Sequence, residues 1–196
     1  MSETLSKSKR VNSYSNEKWD QLWTNIRQGD QHSLSELYCC AYSQLFNYGF
    51  KIVPDESLVE DCIQQLFLNV WSKRDVISEA KSAKSYLFSS FRRLIFRRLK
   101  KQRNQAKRNH RYSQFSYDSI PTHEELLILY ETERYKRSCL QIALDNLSTR
   151  QRQAIYLKYY NGLSNKEISD VMDVNKQSVY NHISKAIQKM QELVQA

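Results

Sequence analysis

Apolar residues recur at i, i+3 and i+4 through most of this chain, the spacing of amphipathic helices. Trp19, Leu22, Trp23 and Ile26 mark a short first helix stopped at Gly29. Asp30 then caps a longer helix carrying Leu34, Leu37, Tyr38, Ala41, Leu45 and Phe46, which ends between Gly49 and Pro54. Ser57 with Glu60 reads as a capping box, and Val59, Ile63, Leu66 and Val70 stripe the next helix to about Trp71. Asp61, Gln64 and Leu68 share another face of it. Residues 73–84 read as a loop, and from Ser85 to about Arg103 the helical period returns, with Leu87, Phe91, Leu94, Ile95 and Leu99 facing inward. Residues 104–121 lose the period and end in Pro, which predicts a linker. A helix is expected from Thr122 to Asn146. Ser148 caps another with Ala154, Ile155, Leu157 and Tyr159 as its apolar positions, ended by Asn161-Gly162.

The most informative segment follows, LSNKEISDVMDVNKQSVYNHISKAI at 163–187. Ser164 and Glu167 form a capping box, and Ile168, Val171 and Met172 then share one face. Asp173-Val174-Asn175 breaks the helix, and Asn175 caps a second one striped by Val179, Ile183, Ala186, Ile187 and Met190. A short helix, a three-residue turn and a polar-faced second helix make the helix-turn-helix that enters the DNA major groove. Asp173 stands where Gly is usual, and Asp tolerates positive φ better than most residues but less well than Gly.

Three glycines and two prolines leave few breaks, so an all-α chain is expected: two small helical domains on a flexible linker, the C-terminal one a helix-turn-helix domain. The expected divisions are a disordered tail at 1–17, a domain at 18–103, the linker at 104–121 and a second domain at 122–196. No apolar run reaches the length of a membrane span and the start lacks a secretory h-region, which predicts a cytoplasmic protein with no membrane insertion. Cys39, Cys40, Cys62 and Cys139 form no C-x-x-C pair and read as reduced thiols rather than zinc ligands. His32, His110, His123 and His182 are scattered, and no nucleophile elbow or Gly-rich phosphate loop occurs. No catalytic residue, metal site or cofactor is therefore expected, and the chain does not read as an enzyme.

Net charge is +9, and its distribution says more than its size. Residues 81–111 hold twelve Lys or Arg and no acid, whereas residues 18–80 are net −4. So many uncompensated cations repel one another unless a polyanion neutralises them. Arg92, Arg93, Arg97, Lys100 and Lys101 suit phosphates; Tyr86, Phe88 and Phe96 either stack on unpaired bases or fill the core. On the second helix of the helix-turn-helix, Gln177, Asn181, Ser184 and Lys185 project away from the apolar stripe, with Lys176, Ser178 and Tyr180 at its N-terminal turn. Gln and Asn bond adenine edges, and Lys reaches guanine or phosphate.

On these residues the chain resembles an extracytoplasmic-function sigma factor of bacterial RNA polymerase over about residues 19–193. GDQHSLSELYCCAY resembles the opening helix of the promoter-melting domain, and VEDCIQQLFLNVW the D-x-x-Q-x-x-F helix that docks on the β′ clamp helices. SYLFSSFRRLIFRRLKK resembles the helix that opens the −10 element, and residues from LSTRQRQAIYLKYYNGLS to the final helix resemble the −35-binding domain. The resemblance implies polymerase contact by Asp61 and Gln64, which spacing alone does not give. It implies −10 contact by Tyr86, Phe88, Arg92, Arg93, Arg97, Lys100 and Lys101, and −35 contact by Lys176, Gln177, Ser178, Tyr180, Asn181 and Lys185. The partners it implies are promoter DNA, core polymerase through β′ and β, and an anti-sigma factor, often membrane-bound. Where the family commonly has R-N-L-A-x-D, this chain has Arg92-Arg93-Leu94-Ile95-Phe96-Arg97, replacing Asn and Asp by Arg.

Two other classes compete. A stand-alone repressor or activator shares the C-terminal half but usually needs a dimer surface or sensing domain, for which the N-terminal half offers neither zipper nor pocket pattern. A basic helical protein for RNA or anionic membrane is the other, and the intact helix-turn-helix argues against it.

Overall fold

The computed structural model describes residues 15–77, 82–109, 144 and 146–195. Among them are seven α-helices, one π-helical turn and no strand, so the expected all-α class is observed. The helix expected from Thr122 to Asn146 and most of the linker lie outside the described residues.

Four helices build the first bundle: α1 (Asn16–Arg27), α2 (Gln31–Phe50), α3 (Glu56–Ser72) and α4 (Ala83–Asn109). α1 packs on α2 and α4, α2 on α3, and α3 on α4. The predicted apolar stripes are the contacts: Trp19, Leu22, Trp23 and Ile26 of α1 are buried, with Leu37, Ala41 and Leu45 of α2 and Val59, Ile63, Leu66 and Val70 of α3. Gly49 lets α2 approach its neighbours, since a Cβ there would meet Val59 Cγ1 at 2.9 Å and Phe91 Cζ at 3.0 Å. Asp30 caps α2 as expected, accepting from the backbone N–H groups of His32 and Ser33.

Local chemistry moves several boundaries. α1 begins at Asn16, inside the expected tail, because Ser15 caps it by accepting from the Lys18 N–H. α3 is capped by Asp55, whose carboxylate accepts from the Leu58 N–H at 3.0 Å, and not by Ser57. An ionised carboxylate complements the helix dipole in a way a hydroxyl does not, and Glu60, expected to close the box, accepts from the Tyr42 hydroxyl at 2.8 Å. α4 starts at Ala83 rather than Ser85, because the Ser82 hydroxyl accepts from the Ser85 N–H at 3.2 Å and the Asp20 carboxylate, from α1, accepts from the Ala83 N–H at 2.8 Å. α4 also continues to Asn109, past the expected end at 103. Gln, Ala, Lys and Arg in that stretch are strong helix formers and extend it without an apolar stripe.

The second unit holds α5 (Thr149–Ile155), the π-helical turn (Tyr156–Tyr160), α6 (Asn165–Met172) and α7 (Lys176–Gln195). α5 and α6 both pack on α7, burying Ala154, Ile155, Ile168, Val171, Met172, Val179, Ile183 and Ala186. The π-helical turn overturns one expected core position. Its wider ring, closed by the Asn161 N–H donating to the Tyr156 carbonyl at 3.2 Å, rotates the chain. Tyr156 and Leu157 become buried, whereas Tyr159, predicted as apolar lining, is 61% exposed. The two units are in contact: α4 packs along α6, and the buried side chains form one continuous cluster. No helix among the described residues is long and apolar enough to cross a membrane.

Candidate nucleic-acid interface

The helix-turn-helix is fixed by three local devices. Ser164 and Glu167 make both bonds of the capping box: the Glu167 N–H donates to Ser164 Oγ at 3.3 Å, and the Ser164 N–H donates to the Glu167 carboxylate at 2.9 Å. Burial works against the charge on Glu167, but the Ser164 N–H and hydroxyl, the Ser82 hydroxyl and nearby Lys84 outweigh it and hold the carboxyl below its usual range. Asp173 then reverses the chain in the left-handed region, at φ 54° and ψ 53°. Its own N–H and that of Val174 both donate to the Ser169 carbonyl, which closes the end of α6. Asn175 caps α7 by accepting from the Ser178 N–H at 2.7 Å.

These devices present one face of α7 to solvent. Lys176, Gln177, Tyr180, Asn181 and Lys185 are exposed, and Ser178 is half-buried. Gln177 Nε2 donates to Asn181 Oδ1 at 3.1 Å, so the two amides stand side by side, one turn apart. That bond does not use Gln177 Oε1 or Asn181 Nδ2, an acceptor and a donor of the kind an adenine edge takes. His182, half-buried on the same helix, has its pKa lowered by burial and then by Arg150 and Lys185.

The cationic face of α4 is the second surface. Arg93, Arg97, Lys100 and Lys101 are exposed, and α4 carries no carboxylate. Arg92 is half-buried: its guanidinium lies 4.5 Å over the Phe96 ring and its Nη1 donates to Gln153 Oε1 at 2.6 Å. The expected aromatic contacts divide. Phe88 is fully buried against Tyr48, with ring centroids 5.3 Å apart, and so is withdrawn from any base-stacking role. Tyr86 is half-buried, its ring 4.9 Å from Trp23. Phe96 is 45% exposed among the cations and is the α4 aromatic presented to solvent. Its sequence signal was its place beside Ile95, one step off the apolar stripe.

The third surface is α3. Asp61, Gln64 and Leu68 are all exposed at i, i+3 and i+7, with Leu68 at 64%, an uncovered apolar side chain in a polar stripe. Asp61 opens onto a cleft of about 290 Å³ between α3 and the far end of α4, lined also by Asp55, Arg98 and Lys101. A contact at Asp61 is therefore electrically close to the cations of α4.

A helix-turn-helix whose first helix packs on a carboxylate-free cationic helix, and whose second is exposed on one face, defines a DNA-binding protein of the helix-turn-helix class. The comparisons narrow the class. Residues 37–105 match the model of sigma-70 region 2, and residues 137–190 that of sigma-70 region 4. The chain is 25% identical over 173 residues to the ECF RNA polymerase sigma factor SigK of Mycobacterium bovis (strain BCG / Pasteur 1173P2), covering 87% of this chain and 90% of that one. It is 26% identical over 158 residues to SigK of Mycobacterium sp. (strain KMS), covering 80% of each. Among solved structures, the sigma factor RpoE bound to the anti-sigma factor NepR, from Bartonella quintana, shares the fold with a TM-score of 0.55 at 17% identity, over 92% of this chain and 96% of that one. CnrH in complex with the cytosolic domain of CnrY does so with a TM-score of 0.58 at 17% identity, over 91% and 97%. The chain belongs to the extracytoplasmic-function sigma factors of the sigma-70 family. It is a non-enzymatic transcription initiation factor.

Proposed function

We propose that this chain grips a promoter at two points while seated on core polymerase. α7 enters the major groove of the −35 element, with Gln177, Asn181 and Lys185 on base edges and Lys176, Ser178 and Tyr180 at the groove's edge. α4 holds the −10 strands through Arg93, Arg97, Lys100 and Lys101, with Arg92 joining them once released from Gln153. Phe96 stacks on an unpaired base, a role that burial denies to Phe88. Unstacking costs a few kcal/mol per base, and phosphate contacts with polymerase docking offset it. The α3 stripe of Asp61, Gln64 and Leu68 docks on the β′ clamp helices, and the second unit rests on β. An anti-sigma factor covering these surfaces controls the chain in the cytoplasm; the similar sigma factor RpoE of Bartonella quintana is solved in complex with the anti-sigma factor NepR.

The observation that carries this reading is the coexistence of a capped, solvent-facing reading helix with an exposed Asp61/Gln64/Leu68 stripe on a separate bundle. A stand-alone regulator has no use for the stripe. Core polymerase should retain the wild-type chain on size-exclusion chromatography, and Asp61→Lys with Leu68→Ala should abolish co-elution without unfolding the bundle. Retention of the double variant at wild-type strength would remove the docking assignment.

A further inference from the structure

The reading face of α7 is bordered by a cluster that the base contacts do not use. His182 follows Ser178 by one turn and comes one turn before Lys185. It is half-buried and stands between the exposed face and the buried stripe of Val179, Ile183 and Ala186. α5 packs along α7. Lys189, two turns beyond His182, fixes the approach to α5 by donating to the Asn146 carbonyl at 2.6 Å. Arg150, exposed in the first turn of α5, is close enough to His182 to act on its charge.

This corner gathers positive charge without an anion. A cation in the first turn of a helix meets the positive end of the dipole, and the first turn of α5 holds no acid to offset it. The charged groups acting on His182 are Arg150 from α5 and Lys185 from α7. Among the described residues no carboxylate of α6, which also packs on α7, joins them. Burial and the two cations hold the imidazole below the ordinary histidine value of 6.5. An anion seated here relieves the repulsion and favours the charged ring. The backbone of DNA is the anion this position selects, because phosphates flank a helix lying in the major groove.

We propose that Arg150 and His182 form a phosphate seat at the edge of the reading helix, and that His182 enters the DNA complex as an imidazolium donating to a backbone phosphate. The seat rests on the −35 reading by α7 proposed above. Its consequence is proton uptake on binding, so the chain holds duplex more tightly as pH falls. One proton taken up changes Kd by at most about tenfold per pH unit, between the pKa of the free ring and the higher one of the complex. Above both values affinity is level.

The full chain is titrated at fixed ionic strength, from about pH 5.5 to about pH 8, with a duplex of about two helical turns selected on it from a randomised pool. Kd should rise with pH by roughly three- to tenfold over that range. His182→Gln should flatten the profile at the weak-binding level, and His182→Lys at the tight-binding level. Arg150→Gln, a change at an exposed residue, should weaken binding by roughly tenfold and lower the salt slope by about one; it decides the matter if the His182 variants fail to fold by circular dichroism. A flat wild-type profile, a pH slope that survives His182→Gln, or a salt slope unchanged by Arg150→Gln would overturn the seat, while weaker binding by Asn181→Ala would keep the reading of α7. Binding indifferent to Asn181→Ala would remove that reading and the seat with it.

Discussion

Asp173 is the position where sequence and geometry disagree most sharply, and its replacement makes a quantitative test. Among the described residues it is the one non-glycine with positive φ, and its side chain is exposed. The left-handed region costs an L-residue about 1–2 kcal/mol, less for Asp, whose short polar side chain is tolerated there. Gly removes that strain but loses about 0.5–1 kcal/mol through the freedom of the unfolded chain. Asp173→Gly should therefore be neutral to stabilising by about 1 kcal/mol. Asp173→Ala carries the strain without the polar side chain and should destabilise by about 1 kcal/mol. At this chain length such a gap, about 1–2 kcal/mol, separates the two variants by roughly 2–8 °C in Tm, read by thermal melting at pH 7. The turn's bonds to the Ser169 carbonyl are backbone bonds that both variants keep, so duplex binding by folded protein should not change. Equal melting of the Ala and Gly variants would refute the strain at this turn.

Other expectations follow from the same geometry. Glu167 has its folded pKa depressed, so the stability it contributes is present above its unfolded value, near 4.5, and is lost as pH falls through the folded one; Glu167→Gln should flatten the acid limb of Tm against pH below that unfolded value. Phe88→Ala should cost about 3–5 kcal/mol in urea unfolding, whereas Phe96→Ala should leave stability nearly unchanged and weaken single-stranded DNA binding. Asn181→Ala should cost about 1–3 kcal/mol and relax preference at one −35 position, measured on duplexes varied base by base. Arg97→Ala should weaken promoter binding across sequences and lower the salt slope by about one; an unchanged slope would release α4 from its phosphate role.

The helices were legible because each signal was local. The Ser164/Glu167 box, the Asp30 and Asn175 caps and the stripes of α1, α3 and α7 depend on residues within one or two turns, and all appear in the structure. What escaped needed distant partners. Asp20 capping Ala83 joins residues far apart in sequence, so the start of α4 could not be read from its own residues. Tyr159 was misplaced because the π-helical turn departs from the 3.6 period on which the stripe was counted. Phe88 and Phe96 are chemically alike, and the packing of Tyr48 decides which one is free. Lys84 gave no sign of its burial, since a lysine opening a basic helix looks solvated until the second unit covers it and the Asn161 carbonyl accepts from its ammonium.

Direction of polymerase to a two-element promoter is read out by run-off transcription with core polymerase on a library of randomised duplexes. Transcripts should arise only when the chain is added, from templates enriched in two short motifs at a fixed spacing, with the upstream motif blurred by Asn181→Ala and all transcripts lost with Asp61→Lys and Leu68→Ala. Transcription no greater than core polymerase alone, or enrichment of a single motif indifferent to Asp61 and Leu68, would contradict it.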